Sequence, residues 1–418
     1  MPTRHDVERI LACIRWTGKD GKIGLDMWKV RQRKRDIVDS FRRGSESKTQ
    51  AAGVEVLMGL AAFVDKKTMQ VKLNDGEEKT ITAEKIFINT GERPAKPRLE
   101  NLKSVAYERV LDYISIQELG EVPEHLLILG GGYIGLGFGQ LFRRLGAEVT
   151  IVQRAAQLLP REDPDIAECM LEILQEDGIM VRLNTSATRV DTSSSHSISL
   201  MVHTKDGTEQ TISGSHLLSA AGRTPNTDML NLDATSISTA KSGHIAVNSH
   251  LEASTPNFYA LGDVKGPPAF TYISYDDFRV IQHNLFTLSS SSAEPLTTEN
   301  RIVPYVVYTD PQFGHVGLHE HEARSQFPQK TIKVAKLPME YVARALECEE
   351  TRGMMKAVVD GEKGELLGFT CFGLEGGKIM AVVQAAMMGK LPWQKLRDAV
   401  WAHPSLAESL NNLWGFLE

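Results

Sequence analysis

Residues 126–135 read Leu-Leu-Ile-Leu-Gly-Gly-Gly-Tyr-Ile-Gly, an apolar run that passes straight into the spacing G-x-G-x-x-G. Leu126, Leu127, Ile128 and Leu129 leave no polar face, as a strand covered on both sides requires, and 135–145 continues with helical periodicity. Alone, such a glycine triplet is a weak signal; between a strand and a helix it is the turn that holds a dinucleotide. Gly130 permits the tight turn, Gly132 lets the backbone approach the pyrophosphate, and Gly135 lets the helix pack closely on the strand. The helix N-terminus adds unpaired N–H donors and a partial positive charge. Strands at 148–152, 180–183, 197–203 and 216–220 and a helix at 166–177 follow, an alternation that predicts a parallel sheet with helices on its faces.

The end of the second strand bears on the choice of nucleotide. An acidic residue there would accept hydrogen bonds from a ribose 2′-hydroxyl, whereas this strand ends Val152-Gln153-Arg154. Gln153 carries no charge to repel a 2′-phosphate and Arg154 can pair with one, so the cofactor reads as NADP or NAD, with NADP favoured.

Working outward, 418 residues exceed what one core supports, and two or three domains are expected. A net charge of -6 argues against nucleic acid as the main partner, and the basic run Arg31, Arg33, Lys34, Arg35 reads as a solvated helix face. No apolar stretch is long enough to span a membrane and no signal core follows the charged N-terminus, which makes the cytoplasm the default. Cys13, Cys169, Cys348 and Cys371 are isolated, with neither CxxC nor CxxxxC spacing. Before the nucleotide turn, Gly18, Gly21 and Gly24 read as loop. A charged helix follows from Met27 to about Ser45, with Val30, Ile37, Val38 and Phe41 as one apolar stripe, and then strands at 54–58, 69–73 and 85–89. Residues 288–298 read as a Ser/Thr-rich linker. His315, His319 and His321 gather near a helix start and read as surface polar residues, with no metal site expected.

The string 126–140 is joined by Thr90-Gly-Glu-Arg-Pro, Ala220-Ala-Gly-Arg-Thr-Pro-Asn-Thr, Tyr259-Ala-Leu-Gly-Asp-Val and His403-Pro-Ser-Leu-Ala-Glu-Ser-Leu. In this order they resemble the class I pyridine nucleotide-disulfide oxidoreductases, the group of mercuric reductase, dihydrolipoamide dehydrogenase and glutathione reductase. The resemblance covers roughly 27–418. It implies an α/β chain in which a Rossmann-type NAD(P) domain is inserted in an FAD domain, here truncated, and followed by an α+β domain that makes a homodimer. The expected boundaries are 1–26 for a divergent segment, 27–117 and 238–300 for the FAD-type domain with linker, 118–237 for the Rossmann domain and 301–418 for dimerisation.

Carried over by position, the resemblance puts Asp263 on the ribityl chain of FAD with Gly262 allowing close approach. It puts Thr90 and Gly91 near the flavin nucleotide, and Gly222 beside the nicotinamide nucleotide. The residues themselves agree that 257–261 is a buried strand, and its C-terminal end is where α/β sheets place ligands. His403 matches an acid/base imidazole that serves the other subunit's site, and Glu408 the carboxylate that orients it. Read without the family, the Ala-His-Pro step is equally a helix entry with Ser405 near its cap.

The sequence also departs from the family. A strand, glycine turn and helix for the ADP half of FAD need at least ~30 residues, and 1–26 contains no such pattern; nor is there a redox CxxxxC. Gly137 stands where relatives carry a glutamate, and Tyr272 where they often show histidine. The expected function is an FAD-dependent NAD(P)H oxidoreductase that retains FAD weakly and serves a small-molecule electron acceptor without a CxxxxC disulfide. The rival expectations are a non-catalytic NAD(P)-binding dimer and the product of a longer enzyme. From the strand end itself, NADPH is expected to bind more tightly than NADH, and Arg154→Ala to abolish the difference; nucleotide fluorescence titration checks this, and equal affinities in the unmutated protein would refute it.

Overall fold

The computed structural model describes residues 14–17, 22–194, 197–288 and 294–418. The chain forms two units. One takes Lys96–Ala221 and Ile302–Glu418 with the described residues of Met1–Trp28, and the other takes Lys29–Ala95 and Gly222–Arg301.

In the first unit, a five-stranded parallel sheet runs in the order Met180–Arg182, Glu148–Val152, His125–Leu129, His216–Ser219, Val110–Leu111. His125–Leu129 lies at its centre, and Leu126, Leu127 and Ile128 are wholly buried, as their unbroken apolar run requires. Helices Tyr133–Arg144 and Pro164–Glu176 follow strands His125–Leu129 and Glu148–Val152 in sequence, so the expected mixed α/β architecture with a Rossmann-type sheet is met. The expected strand at 197–203 belongs elsewhere: Ser197–Thr204 pairs with Thr185–Ser194 and Glu209–Gly214 in a separate antiparallel meander. Its strict alternation of buried and half-buried residues marks a sheet covered on one face.

The C-terminal part carries a five-stranded antiparallel sheet, Pro304–Val307, Gln312–Gly317, Leu366–Gly373, Met354–Asp360, Ile332–Pro338 in spatial order. Helix Gly376–Met388 packs with Ile379, Met380, Val383 and Ala386 buried. Most of the apolar side chains of 379–388 therefore cover their own domain, and Met388 stays exposed. Val307, Phe313 and Phe372 of this domain share one core with Leu126, Leu136 and Ile151 of the Rossmann sheet.

Polar groups are buried at this junction too. Tyr133 and Tyr305 donate to the same Glu162 oxygen at 3.0 and 2.7 Å. Lys356, 2% exposed, meets Asp163, Asp165 and Glu320, each at 2.9 Å. Burial disfavours the ammonium, but these three carboxylates outweigh it and raise its pKa.

The second unit contains the antiparallel sheet Gly59–Phe63, Thr68–Leu73, Glu78–Thr82, and two short pairs, Ile86–Ile88 with Phe258–Ala260 and Glu92–Pro94 with Arg223–Pro225. Phe63, Ile88, Phe258 and Val264 form its core.

Three further expectations are corrected. Gly24 lies in strand Lys22–Leu25, paired with Ile14–Thr17, because a ladder uses backbone groups that glycine also has; Gly18 and Gly21 lie outside the described residues. Residues 54–58 are not a strand, and Val54, Val56 and Met58 are exposed. The ladder begins at Gly59, where a Cβ would collide with the Lys72 carbonyl. Helix Met27–Ala51 forms as its periodicity predicts, yet Ile37 and Phe41 of the apolar stripe face solvent. Of the linker, 289–293 lie outside the described residues.

Gly137 sits inside helix Tyr133–Arg144 with nothing within 4 Å of where a Cβ would stand. Gly137→Ala is expected to stabilise the chain by ~0.5–1 kcal/mol through lower unfolded-state entropy, read as a raised denaturation midpoint; a lowered midpoint would show that the helix needs the glycine.

Candidate functional site

The dinucleotide turn is built by close approach. Gly130 has φ +106°, and a Cβ there would lie 2.7 Å from the Ala220 carbonyl oxygen. A Cβ on Gly135 would overlap the Gly130 carbonyl itself, so helix and strand meet only because both positions lack a side chain. Gly132, the helix N-cap, is extended and has open space where its Cβ would be, which leaves that side of the turn free for a ligand. The first turn of the helix then offers backbone N–H groups without intrahelical partners.

The turn is held from behind by the segment after the second strand. Gly131 N–H donates to Gln153 Oε1 at 3.3 Å, and Leu159 N–H donates to the Gly131 carbonyl at 2.9 Å. Gln153 is buried and donates onward to the Gln157 carbonyl, while Arg154 beside it is exposed. Gln153 thus steadies the loop and Arg154 alone reaches solvent at the strand end. The sequence signal for the first role was an amide where an acid is usual.

In the second unit, a cleft of about 410 Å³ is lined by Asn89, Gly91, Arg223, Asp263, Phe270 and Ser274, among others. Gly262 has φ +69°, and a Cβ would sit 2.6 Å from Asn89 Oδ1 and 2.8 Å from Ser274 Oγ. Its N–H donates to the buried Asp277. Thr90 donates to the Asn226 carbonyl, fixing the strand end that carries Gly91 at φ +66°. Gly222, φ +132°, accepts from Ala95 N–H.

Asp263 bonds Arg223 at 2.9 Å. The same guanidinium meets Glu92 at 3.1 Å, which in turn holds His244 at 2.8 Å. Of the cleft residues, sequence reasoning singled out Gly91 and Asp263. Arg223 was missed, although it stands in the Ala-Gly-Arg string.

His403 and Glu408 come together in the first unit, with Nδ1 2.8 Å from Oε2, and the imidazole is largely exposed. Ser405 Oγ accepts from Glu408 N–H, so the helix-entry reading and the paired reading hold at once. Cys169 and Cys371 are buried, which pushes each thiol up to about 12, whereas Cys348 is exposed. Cys13 lies outside the described residues.

Comparison with known proteins gives this geometry its family. Residues 17–281 match the pyridine nucleotide-disulphide oxidoreductase model, and 303–413 match the dimerisation domain of the same group. The chain belongs to the pyridine nucleotide-disulphide oxidoreductase family. It is 33% identical over 400 residues to the probable pyridine nucleotide-disulfide oxidoreductase RclA of Escherichia coli, covering 96% of this chain and 87% of the relative. It is 32% identical to mercuric reductase of Staphylococcus aureus, covering 94% and 70% respectively. Among solved structures, the Cu(II) complex of the HOCl-induced flavoprotein disulfide reductase RclA superposes with TM-score 0.84 at 32% identity, over 94% of this chain and 86% of that one.

Members of this oxidoreductase family bind FAD and NAD(P) and are flavin-dependent enzymes, and this chain is an oxidoreductase of that kind. Among the described residues no helix is long and apolar enough to cross a membrane.

The residues present fit both cofactors in part. Open space at Gly132 suits a pyrophosphate, and the Gly91–Asp263 cleft suits a polyhydroxyl chain facing a carboxylate and a guanidinium. Because Gly135 has no room for a methyl group, Gly135→Ala is expected to displace the helix and weaken NADPH binding at least tenfold, with ~1–3 kcal/mol lost from stability. Isothermal titration and chemical denaturation read the two effects; unaltered affinity would mean the turn does not hold the nucleotide.

Proposed function

We propose that this family member oxidises NADPH, or NADH less well, and passes two electrons to a small-molecule acceptor without an intramolecular CxxxxC disulfide. The observation that supports this reading is the chemistry available around the acid/base pair. His403 and Glu408 are assembled and open to solvent, while Cys169 and Cys371 are buried thiols far from ionising at neutral pH. FAD supplies the redox chemistry when bound, taking hydride from the nicotinamide.

The chain's own residues bind, orient and move protons. Gly130, Gly132 and Gly135 hold the nicotinamide nucleotide's pyrophosphate, Arg154 its 2′-phosphate, and Gly222 borders its nicotinamide end. Thr90, Gly91, Gly262 and Asp263 receive the flavin nucleotide, with Arg223 fixing the Asp263 carboxylate. Glu408 holds His403 through Nδ1, leaving Nε2 to give a proton to the acceptor as it is reduced. A quinone suits this scheme: NADPH, one proton and the quinone become NADP⁺ and hydroquinone. The working form is a homodimer through 301–418.

Purified protein is tested for flavin absorbance per protomer, anaerobic bleaching by NADPH, and turnover with a soluble benzoquinone against oxidised glutathione and lipoamide. Bleaching followed by quinone turnover alone is expected, with His403→Ala slowing turnover ~10²-fold and leaving bleaching unchanged. Disulfide reduction at the quinone rate would overturn the acceptor class, and colourless protein that still binds NADPH would indicate a non-catalytic binder.

A further inference from the structure

The histidine group near residue 319 is not on the surface as its sequence suggested. His315 and His319 are buried, and only His321 is exposed. The reason is strand pairing: His315 lies within Gln312–Gly317, the second strand of the C-terminal sheet, and His319 caps the helix Glu320–Gln326 that follows. Folding brings them to Glu162, which is more than 150 positions away in the sequence and belongs to the segment that braces the dinucleotide turn.

We propose that Glu162, His315 and His319 form a buried site for a divalent transition-metal ion of the zinc class, entered from the surface by way of His321. One potential donor atom from each of the three lies within 4.8 Å of the others, and His319 Nδ1 stands 3.6 Å from Glu162 Oε2. Tetrahedral zinc with bonds of about 2.0 Å sets its ligand atoms about 3.3 Å apart, so binding draws the three donors together and turns the stacked His315 and His319 rings toward a common point. Two imidazoles and one carboxylate select zinc, copper or nickel over magnesium or calcium, which take oxygen donors.

One donor atom lacks a partner. Glu162 Oε2 is buried without a hydrogen-bond partner, although both tyrosine hydroxyls crowd Oε1. The neighbouring ammonium of Lys356 is taken up by Asp163, Asp165 and Glu320, and among the described residues no Lys or Arg pairs with Glu162.

His315 shows the second contact typical of a metal-bound imidazole. Nε2 lies 3.1 Å from the Gly317 carbonyl, which can only accept, so the proton is on Nε2; Nδ1 accepts from the Thr370 hydroxyl at 2.8 Å, a hydrogen bond that the metal ion would replace. A cation at the centre would satisfy the orphan carboxylate oxygen and neutralise a charge that burial otherwise penalises.

The rings of His315 and His319 stack at 3.9 Å, those of His319 and His321 at 5.5 Å, and His321 is about half exposed while bonded to Asp163 at 2.7 Å. Three imidazoles thus stand in file between solvent and the site, the outermost beside a carboxylate, and we take this row as the entry route.

The test uses the full chain, stripped with chelator and dialysed. Titration with zinc chloride is expected to give one ion per chain at micromolar affinity or tighter, with a raised melting temperature. Cobalt(II) should give d–d bands of tetrahedral intensity and no near-ultraviolet thiolate band. His315→Ala, His319→Ala and Glu162→Gln should each weaken zinc at least tenfold. His403→Ala, which removes the exposed pair, should leave it unchanged, and His321→Ala should slow uptake. Wild-type protein that takes up neither ion, uptake that persists in the His315→Ala/His319→Ala double variant, or loss of uptake in His403→Ala overturns the site; unchanged uptake rate in His321→Ala overturns the entry route. If the buried variants fail to fold by circular dichroism, the wild-type cobalt spectrum decides, since a thiolate band or an octahedral spectrum is incompatible with this donor set.

Discussion

Everything at the glycine turn follows from there being no room between the Gly135 backbone and the Gly130 carbonyl. Because the helix Tyr133–Arg144 can lie directly on its strand, its N-terminus, where the first-turn N–H groups lack intrahelical partners, stands at the turn itself. That position would still be loose if the turn were held only by its own backbone. Gln153 and Leu159 grip Gly131 from its N–H and its carbonyl, and Tyr133 is tied to Glu162, so the segment after the second strand serves as a brace. A site for a flexible dinucleotide benefits from such rigidity, since less entropy is lost on binding.

The brace is in turn fixed to the C-terminal domain through charge. Burying Lys356 would be prohibitive alone, and three carboxylates within 2.9 Å make it tolerable. Such a cluster adds little net stability, because each charge has lost its water, but it accepts only one arrangement of the elements that carry it. The apolar part of the same junction, where Phe313 and Phe372 meet the Rossmann core, supplies the non-directional attraction. Glu162 lies beside this cluster without sharing its cation, which is why its second oxygen is orphaned.

The redox reading rests on a similar contrast of environments. Thiols act as nucleophiles only when ionised, and burial of Cys169 and Cys371 works against that. The acid/base pair His403 and Glu408 sits in solvent instead. The family's flavin and nicotinamide nucleotide chemistry does not itself need a thiol, so an acceptor that diffuses in is compatible with what these residues can do.

By itself the sequence determined those features in which a local pattern and a physical demand coincide. The unbroken Leu-Leu-Ile-Leu run required a strand covered on both faces, and G-x-G-x-x-G after it required a turn of minimal bulk, so the Rossmann element and its three glycines were legible at once. The His403–Glu408 pair was legible only through the family resemblance of the string that carries both, since the residues alone read equally as a helix entry. Tertiary structure decided what depends on partners distant in the chain. The histidines at 315 and 319 looked polar and exposed until strand pairing buried them against Glu162. Ile37 and Phe41 fitted an apolar stripe whose cover the periodicity of their own helix could not specify. Periodicity records which face a residue takes, whereas burial and pKa depend on what is brought to that face, and long-range packing alone supplies that.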